Sequence, residues 1–306
     1  MKYDLIIIGA GPAGMTAGLY AVRENLKTVI VSKDIGGTAN SILLLENWPG
    51  FKGTGAELMK QFYEHLKTYN VNFVMDEVSN IFKNNREFIV KTKKAELRTR
   101  AVILATGTER KKLNIPGEKE LTGKGVSYCT TCDAFFFRNK ILAVIGGSDC
   151  AAVSALTLAD IAKKVYIIYR GKKLRCENIN SKKLENRKNI QIIYNAIPKR
   201  IKGKEKVESL IVRQQGKNKE ISLDGVFIEI GAVPLTKFAK NLNLKFDKEN
   251  YVVVDKNMKT SIPGIFAAGD ITSHKLKQVI VAAGQGAIAT KSANEYINKK
   301  QSQVPQ

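Results

Sequence analysis

Cysteine and histidine are scarce in this sequence, and that scarcity limits the chemistry open to the chain. The 306 residues include four cysteines, two histidines and one tryptophan. A zinc site or an iron–sulfur cluster needs about four ligands. Cys150 and Cys176 lack partner spacing, and the histidines, His65 and His274, do not supply it. The sequence therefore predicts no metal site, and Cys150 and Cys176 are most simply small core or surface thiols.

Long hydrophobic runs are also missing. The longest apolar stretches are the size of strands, such as Leu5–Ile8 and Val102–Ala105, whereas a membrane-spanning helix needs about 20 apolar residues. The first residues lead directly into a strand, so the sequence predicts no signal peptide. We therefore expect a cytoplasmic protein with no membrane partner. In that compartment disulfides are usually transient and catalytic.

Acidic residues are few relative to basic ones. The chain has 28 Asp and Glu against 50 Lys and Arg, a formal net charge of +22. Such a balance favours an acidic partner, although a lysine-rich composition alone would also produce it. The basic residues are spread along the chain, and no recognition helix, zinc-finger spacing or aromatic RNA-binding signature accompanies them. We therefore predict no nucleic-acid partner.

The first motif that is present is a glycine turn after an apolar strand. The segment "DLIIIGAGPAG" places Gly9, Gly11 and Gly14 between that strand and a helix, and a second strand begins at Thr28. This is the dinucleotide-binding fingerprint in its expected context. The helix N-terminus supplies free N–H groups to a pyrophosphate. The segment predicts a nucleotide-binding domain.

A second unit of the same kind begins at Lys140. Its pattern predicts a strand over Ile141–Ile145, a glycine turn at Gly146–Gly147, a helix over about Asp149–Ile161 and a strand over Val165–Tyr169. Two such units predict an α/β protein with two Rossmann-like domains. Near the end of the chain, a helix rich in small residues follows Gly269, and such a face packs closely against a flat or backbone surface.

The segment "VSYCTTCDAFFF" contains Cys129 and Cys132, with Asp133 directly after the second cysteine. The spacing permits a small disulfide ring or a dithiol poised for exchange. Half of a zinc site and two core thiols are the alternatives. Exchange needs a group that manages the proton, and no histidine is adjacent. The carboxyl group of Asp133 is the candidate.

Taken in order, these motifs resemble those of the low-molecular-weight flavoprotein thioredoxin reductases over essentially the whole chain. The matching segments are "GAGPAG" from Gly9, "ENWPGF" from Glu46, "ILATGT" from Ile103, "CTTCDAFFFRN" from Cys129 and "SIPGIFAAGD" from Ser261. The resemblance implies FAD as cofactor, thioredoxin as substrate and a homodimer. It also implies a discontinuous FAD domain, residues 1–112 and 239–306, with residues 113–238 inserted as an NADPH-domain-like unit that carries the cysteines.

The resemblance also assigns residues. Cys132 is expected to face the flavin, Cys129 to attack the substrate disulfide, and Asp133 to act as the proton donor. The phenylalanines at positions 135–137 are expected to pack the pair against the flavin and keep water out. The expected FAD contacts are Gly9, Gly11, Pro12, Ala13, Gly14, Ser32, Gly36, Gly37, Thr38, Asn47, Thr106, Gly107, Gly269, Asp270, Gln278 and Val279. Thr38 stands where the family usually has glutamine.

The electron donor is the point of departure from the familiar NADPH-dependent members. Ser148 stands where the family has glycine, and Asp149 places a carboxylate at a helix N-terminus, where it can cap the free N–H groups and repel a pyrophosphate. Gly171 replaces an arginine of the 2′-phosphate site, although Arg170 and Arg175 remain. With the net charge of +22, this pattern is similar to the ferredoxin-dependent flavin thioredoxin reductases. We therefore predict reduced ferredoxin as the favoured donor. The alternatives are NADPH and reduced F420.

Overall fold

The fold is given by a computed structural model that describes residues 2–42, 45–85 and 87–301, with the side chains of all of these except residues 46, 131, 132, 300 and 301. The chain forms two compact units. Unit 1 comprises Met1–Glu109 and Val233–Gln306, and unit 2 comprises Arg110–Ala232. Each unit has its own sheet and its own hydrophobic core.

The first segment of unit 1 alternates strands with helices before it turns to antiparallel strands. Its elements are β1 (Lys2–Ala10), α1 (Pro12–Arg23), β2 (Thr28–Ile35), the 3₁₀ helix Gly37–Ser41, β3 (Leu45–Trp48), β4 (Phe51–Gly53), α2 (Gly55–Thr68), β5 (Asn72–Met75), β6 (Val78–Asn84), β7 (Glu87–Thr92), β8 (Glu96–Leu104) and β9 (Thr108–Arg110).

The main sheet of unit 1 has the order β5-β2-β1-β8-β7-β6. The strands β5, β2, β1 and β8 run parallel to one another, while β7 and β6 are antiparallel. Strand β1 is apolar and buried from Leu5 to Ile8 because both faces of a parallel sheet are covered. Leu5 and Ile7 pack into one core, and Ile6 and Ile8 into the other.

Unit 2 contains the inserted elements. They are β10 (Val126–Ser127), α3 (Thr130–Asp133), the 3₁₀ helix Ala134–Phe137, β11 (Ile141–Ile145), α4 (Asp149–Ala159), β12 (Lys164–Ile168), α5 (Asn178–Glu185), β13 (Ile190–Ile193), β14 (Ala196–Lys202), β15 (Ser209–Gln214), β16 (Lys217–Ser222) and β17 (Gly225–Ile228). The parallel sheet has the order β10-β17-β11-β12-β13, and β14-β15-β16 form a separate antiparallel sheet.

The chain then returns to unit 1. The returning elements are β18 (Ala232–Pro234), the 3₁₀ helix Lys237–Ala239, β19 (Ile265–Ala267), the 3₁₀ helix Gly269–Ile271 and α6 (Val279–Gln301). Strand β19 joins the main sheet beside the second half of β8, in parallel. The small-residue face of α6 packs against α1, where a Cβ atom on Gly286 would lie 2.1 Å from the carbonyl oxygen of Ala13. In the described part of the chain, no helix has the length and apolar character needed to cross a membrane.

The unit boundaries differ from those expected from the sequence, which placed the crossings after residues 112 and 238. The first crossing lies between Glu109 and Arg110, and the second between Ala232 and Val233. Contacts explain both shifts. The backbone N–H of Lys111 donates to Gly231 within unit 2, and the N–H of Leu235 donates to Gly107 within unit 1.

Candidate functional site

The glycine turn of unit 1 has the geometry that the fingerprint predicts. Gly9 has φ +108°, and a Cβ atom there would lie 2.3 Å from the carbonyl oxygen of Ala105. A Cβ atom on Gly14 would lie 1.8 Å from the carbonyl oxygen of Gly9, so only glycine permits this approach of helix to strand. Pro12 occupies the first turn of α1, where its missing N–H costs no helical hydrogen bond. The turn leads directly into the helix N-terminus.

The N-terminus of α1 is open to a ligand. Gly11 is the N-cap residue, and no side chain caps the helix. The atom nearest to a Cβ built on Gly11 is the carbonyl oxygen of Gly36, 3.9 Å away. A hydrogen bond to β2 holds the turn in place, because the Ala10 N–H donates to the hydroxyl of Ser32 over 3.1 Å. Free N–H groups with this much room form an anion site.

Four of the predicted cofactor residues lie at the carboxyl ends of β8 and β19, beside the turn after β1. Thr106 and Gly107 follow β8, and Gly269 and Asp270 follow β19. The N–H of Gly269 donates to the side chain of Gln285 over 2.8 Å, which orients this turn. Burial raises the pKa of the half-buried Asp270 carboxyl, and the nearby Lys277 ammonium group acts in the opposite direction. No described side chain donates a hydrogen bond to this carboxylate.

Lys277 contacts the turn that contains Asp270, and the sequence interpretation did not single it out. Its ammonium group donates to the carbonyl oxygens of Asp270, over 3.1 Å, and of Thr272. It also lies 4.2 Å from the centre of the Tyr251 ring. Burial lowers the pKa of Lys277, while Asp270 acts to raise it. Lys277 thereby joins the Asp270 turn to the start of α6. In the sequence, its position directly before the predicted FAD contact Gln278 was the feature that could have indicated it.

Two further predicted cofactor residues, distant in the sequence, are hydrogen-bonded to each other within unit 1. The side-chain amide of Asn47 donates to the side chain of Gln278 over 2.9 Å, and α6 begins at Val279. Gly37 and Thr38 lie in the 3₁₀ helix after β2, and Thr38 is exposed. The open N-terminus of α1 fits the phosphates of FAD, and the Asp270 carboxylate, which accepts no hydrogen bond from a described side chain, fits the hydroxyl groups of its ribityl chain. The individual FAD contacts stay predictions.

The redox segment lies in unit 2. Cys129 is disulfide-bonded, whereas Cys150 and Cys176 are free. The predicted partner, Cys132, has a side chain outside the described residues. The N–H of Cys129 donates to the buried hydroxyl of Ser127 over 3.0 Å. These contacts give the cysteine a defined backbone position at the start of α3.

Asp133 is placed one helical turn after Cys129. Its N–H donates to the carbonyl oxygen of Cys129 over 3.2 Å, and its side chain is half-buried. No group of three or more metal-ligating side chains occurs among the described residues. Asp133 therefore lies one helical turn from Cys129 along the chain, and its role in proton transfer stays a prediction.

The phenylalanines after Asp133 differ in their exposure. Phe135 and Phe136 are each 75% exposed, and only Phe137 packs inward, with its ring 5.2 Å from that of Phe227. Phe135 and Phe136 therefore do not pack into the core of unit 2, and the expectation that the rings hold the cysteine pair against the flavin stays a prediction. The 3₁₀ helix Ala134–Phe137 turns these two side chains outward, and it forms an apolar surface next to the redox segment.

Comparison with known proteins now decides the family. The sequence model of the pyridine nucleotide-disulphide oxidoreductases matches residues 3–286. The thioredoxin reductase of Bacillus subtilis (strain 168) is 40% identical over 304 residues, 98% of this chain and 96% of that protein. The crystal structure of Lactococcus lactis thioredoxin reductase has a TM-score of 0.94 and 36% identity, with 97% of this chain and 99% of that one covered.

The chain belongs to the pyridine nucleotide-disulphide oxidoreductases, among the thioredoxin reductases. The predicted fold class, enzyme class and FAD cofactor of this reductase are thereby confirmed. The predicted likeness to the ferredoxin-dependent subgroup is not supported. A ferredoxin-flavin thioredoxin reductase from Clostridium acetobutylicum is 33% identical, with 98% of this chain and 99% of that one covered, but its TM-score is 0.56.

The second glycine turn of the reductase, in unit 2, shows why Ser148 is tolerated. Ser148 is the N-cap residue of α4, with φ −93° and ψ 179°. Gly11 occupies the same place before α1, with φ −78° and ψ −173°. This extended backbone is open to any residue, so glycine is not required for conformation at this position. The Ser148 hydroxyl makes no cap hydrogen bond, and the helix N-terminus stays open.

Asp149 does not cap its own helix, contrary to the expectation from the sequence. One of its carboxylate oxygens accepts hydrogen bonds from the N–H of Glu177, over 2.7 Å, and from the side chain of Asn180, over 3.0 Å. Both donors belong to the start of α5. The carboxylate therefore satisfies the N-terminus of α5 instead of that of α4. The cause is tertiary packing, which a local pattern does not contain.

Basic side chains remain beside this turn. Arg170, Lys172, Lys173 and Arg175 are exposed, and no salt bridge from these residues to a described acidic residue is formed. The N–H of Arg175 donates to the carbonyl oxygen of Gly147 over 2.7 Å, so the basic segment runs alongside the glycine turn. Its charge is therefore available to a phosphate ester.

Proposed function

We propose that this reductase uses NADPH to reduce the disulfide of thioredoxin, through FAD and the Cys129–Cys132 pair. The observation that carries the choice of donor is the glycine turn of unit 2. Ser148 keeps the backbone conformation that Gly11 has in unit 1, and the Asp149 carboxylate is bound to the start of α5. Ser148 and Asp149, two of the sequence features that favoured ferredoxin, therefore do not close the turn to a pyrophosphate.

The residues of the chain divide the work as follows. Arg170 and Arg175 would bind the 2′-phosphate of NADPH, because guanidinium groups form bidentate hydrogen bonds with phosphate. Bound FAD supplies the transfer of two electrons to the cysteine pair. The Cys129 thiolate attacks one sulfur of the thioredoxin disulfide, and Asp133 gives a proton to the departing thiolate. Cys132 then displaces the reduced thioredoxin and restores the disulfide with Cys129.

The donor is tested under anaerobic conditions with the purified holoenzyme. We expect NADPH to bleach the flavin absorbance rapidly and with saturation, NADH to do so less well, and reduced ferredoxin to be no better. Replacement of Arg170 and Arg175 by methionine should weaken NADPH use about 10- to 100-fold, because each loses a charge-assisted hydrogen bond to phosphate. The same variant should leave the rate with NADH unchanged.

Two other outcomes of this experiment would contradict parts of the proposal. If ferredoxin bleaches the flavin and NADPH does not, the donor proposal fails, and the net charge of +22 becomes the better guide. Equal use of NADPH and NADH would instead exclude a role of Arg170 and Arg175 in 2′-phosphate binding. Cytoplasmic localisation and a homodimer stay predictions.

We propose that Phe135 and Phe136 form the apolar contact for thioredoxin. They follow Asp133 directly and are each 75% exposed. Exposed aromatic side chains of this kind carry much of the binding energy in protein interfaces. Replacement of both by alanine should raise the KM for thioredoxin by about 10-fold or more, since 1.4 kcal/mol corresponds to a factor of ten.

A small disulfide reagent gives the control for this prediction. The double variant should reduce such a reagent at the unaltered rate, because the reagent does not need the apolar contact. Phe82→Ala removes another exposed aromatic side chain, 40% exposed, from unit 1 and should leave the KM for thioredoxin unchanged. A double variant with unaltered KM for thioredoxin would place the contact elsewhere.

A further inference from the structure

Unit 2 contains a buried ion pair that the reaction described above does not use. Glu229 directly follows β17 and is 4% exposed. One of its carboxylate oxygens lies 2.6 Å from the guanidinium group of Arg110, and the other accepts a hydrogen bond from the hydroxyl of Ser154, over 3.0 Å. Burial raises the pKa of Glu229, while Arg110 and Ser154 act to lower it. The sequence signal was an acidic residue within the apolar segment "GVFIEIGAV".

The ion pair lies at the edge of the sheet where Rossmann-like domains bind their ligands. In such sheets the ligand lies outside the carboxyl ends of the strands, at the point where the strand order reverses. Here β11 continues through α4 to β12 on one side, and its neighbour on the other side is β17. Gly146 follows β11, and a Cβ atom on Gly146 would lie 2.2 Å from the carbonyl oxygen of Glu229. The ion pair therefore adjoins the glycine turn.

The topology also indicates which half of a dinucleotide would meet the ion pair. The basic segment with Arg170 and Arg175 follows β12, where a 2′-phosphate of the adenosine half belongs. Strand β17 lies on the other side of β11 from β12. With the pyrophosphate of a dinucleotide at the turn after β11, its nicotinamide half would reach toward the end of β17.

The Arg110 guanidinium group has N–H donors that the described residues leave free to bind a ligand at this edge of the sheet. A guanidinium group has five N–H donors, and the described residues provide one hydrogen-bond acceptor for that of Arg110, the Glu229 carboxylate. The Arg110 side chain is 33% exposed, whereas that of Glu229 is 3% exposed. The carboxylate thus fixes the guanidinium group from the buried side and leaves its outer side accessible. A fixed cation loses little conformational freedom when it binds.

We propose that Arg110, held in place by Glu229, binds the phosphate and ribose oxygens of the nicotinamide half of NADPH. This inference rests on the proposed donor. It assigns recognition of the two halves to separate residues, with Arg170 and Arg175 on the adenosine half and Arg110 on the nicotinamide half. Neither Arg110 nor Glu229 belongs to the glycine fingerprint or to the basic segment after β12.

The test compares two ligands of the FAD-loaded enzyme. NADPH contains both halves, whereas 2′,5′-ADP contains only the adenosine half with its 2′-phosphate. Arg110→Met should weaken binding of the dinucleotide about 10- to 100-fold, measured calorimetrically with NADP⁺, which cannot reduce the flavin, and should leave the Kd of 2′,5′-ADP unchanged. Arg170→Met should weaken the binding of both. Lys111→Met removes the adjacent, exposed positive charge and should change neither.

A second variant guards against loss of fold, because removal of Arg110 leaves a buried carboxylate without its partner. The double variant Arg110→Met with Glu229→Gln has no such charge and should show the same selective loss of NADPH binding. Wild-type affinity for NADPH in this folded double variant would overturn the inference, as would an equal loss for both ligands. If the wild-type enzyme itself binds no NADPH, the proposed donor fails first, and that result is distinguishable from the others.

Discussion

Replacement of Cys129 by serine should reduce thioredoxin turnover to the background rate, while the flavin is still reduced by NADPH. The thiolate, not the thiol, attacks a disulfide, and a serine hydroxyl cannot take its place. Cys129 precedes the exposed Phe135 and Phe136 in the same short segment of the sequence and is disulfide-bonded. We therefore expect this variant to form no mixed disulfide with thioredoxin and to keep a perturbed flavin spectrum from Cys132.

Cys132→Ser is the matched variant. It retains the attacking thiol and should accumulate a mixed disulfide between Cys129 and thioredoxin, because the second thiol that would resolve it is missing. Non-reducing electrophoresis measures this adduct directly. An adduct formed by the Cys129→Ser variant but not by Cys132→Ser would reverse the assigned roles. Cys176→Ser, at a free and half-buried thiol, should behave as the wild type.

Asp133→Asn should lower the turnover of thioredoxin by about 10²- to 10⁴-fold, the usual contribution of general acid–base catalysis. Asp133 shares α3 with the cysteine segment, and its N–H is bonded to the carbonyl oxygen of Cys129. The histidines, His65 and His274, both belong to unit 1. No histidine in unit 2 can therefore replace the carboxyl group.

The measurement separates catalysis from binding. Asp133→Asn keeps the size of the side chain, so the KM for thioredoxin should change much less than kcat. Asp133→Glu keeps a carboxyl group and should recover part of the rate. Turnover at the wild-type rate in Asp133→Asn would show that solvent or another group moves the proton.

The local elements of this fold were predictable because each depends on neighbouring residues. The apolar run Ile141–Ile145 was expected as a strand and is one, and the helix expected from Asp149 begins there and ends at Ala159. Strand β12 begins and ends one residue earlier than its apolar pattern suggests. Glycine turns after apolar strands are strong signals because conformation and close approach both require glycine there.

Contacts between distant residues were not predictable in the same way. The pairing of Arg110 with Glu229 joins residues 119 positions apart, and Asp149 reaches the start of α5 across 28 positions. No periodicity encodes which of many charged side chains will meet. The outward direction of Phe135 and Phe136 depends on the 3₁₀ turn after Asp133, whereas three adjacent aromatic residues suggest only a buried cluster. The prediction of a ferredoxin donor treated Ser148 and Asp149 as isolated substitutions and added the net charge of +22, whereas the relatives and the contacts of Asp149 favour the alternative donor, NADPH.

The division of unit 1 between the two ends of the chain has a consequence for biosynthesis. Helix α1 is made before the inserted unit and its partner α6 after it, and the hydroxyl of Thr290 donates to the carbonyl oxygen of Ala17 across 273 positions. During translation the inserted unit leaves the ribosome with all of its own strands and can fold first. The Gly269–Asp270 turn and α6 emerge afterwards. Completion of the predicted flavin site therefore has to wait until the inserted unit and the start of α6 have both been made.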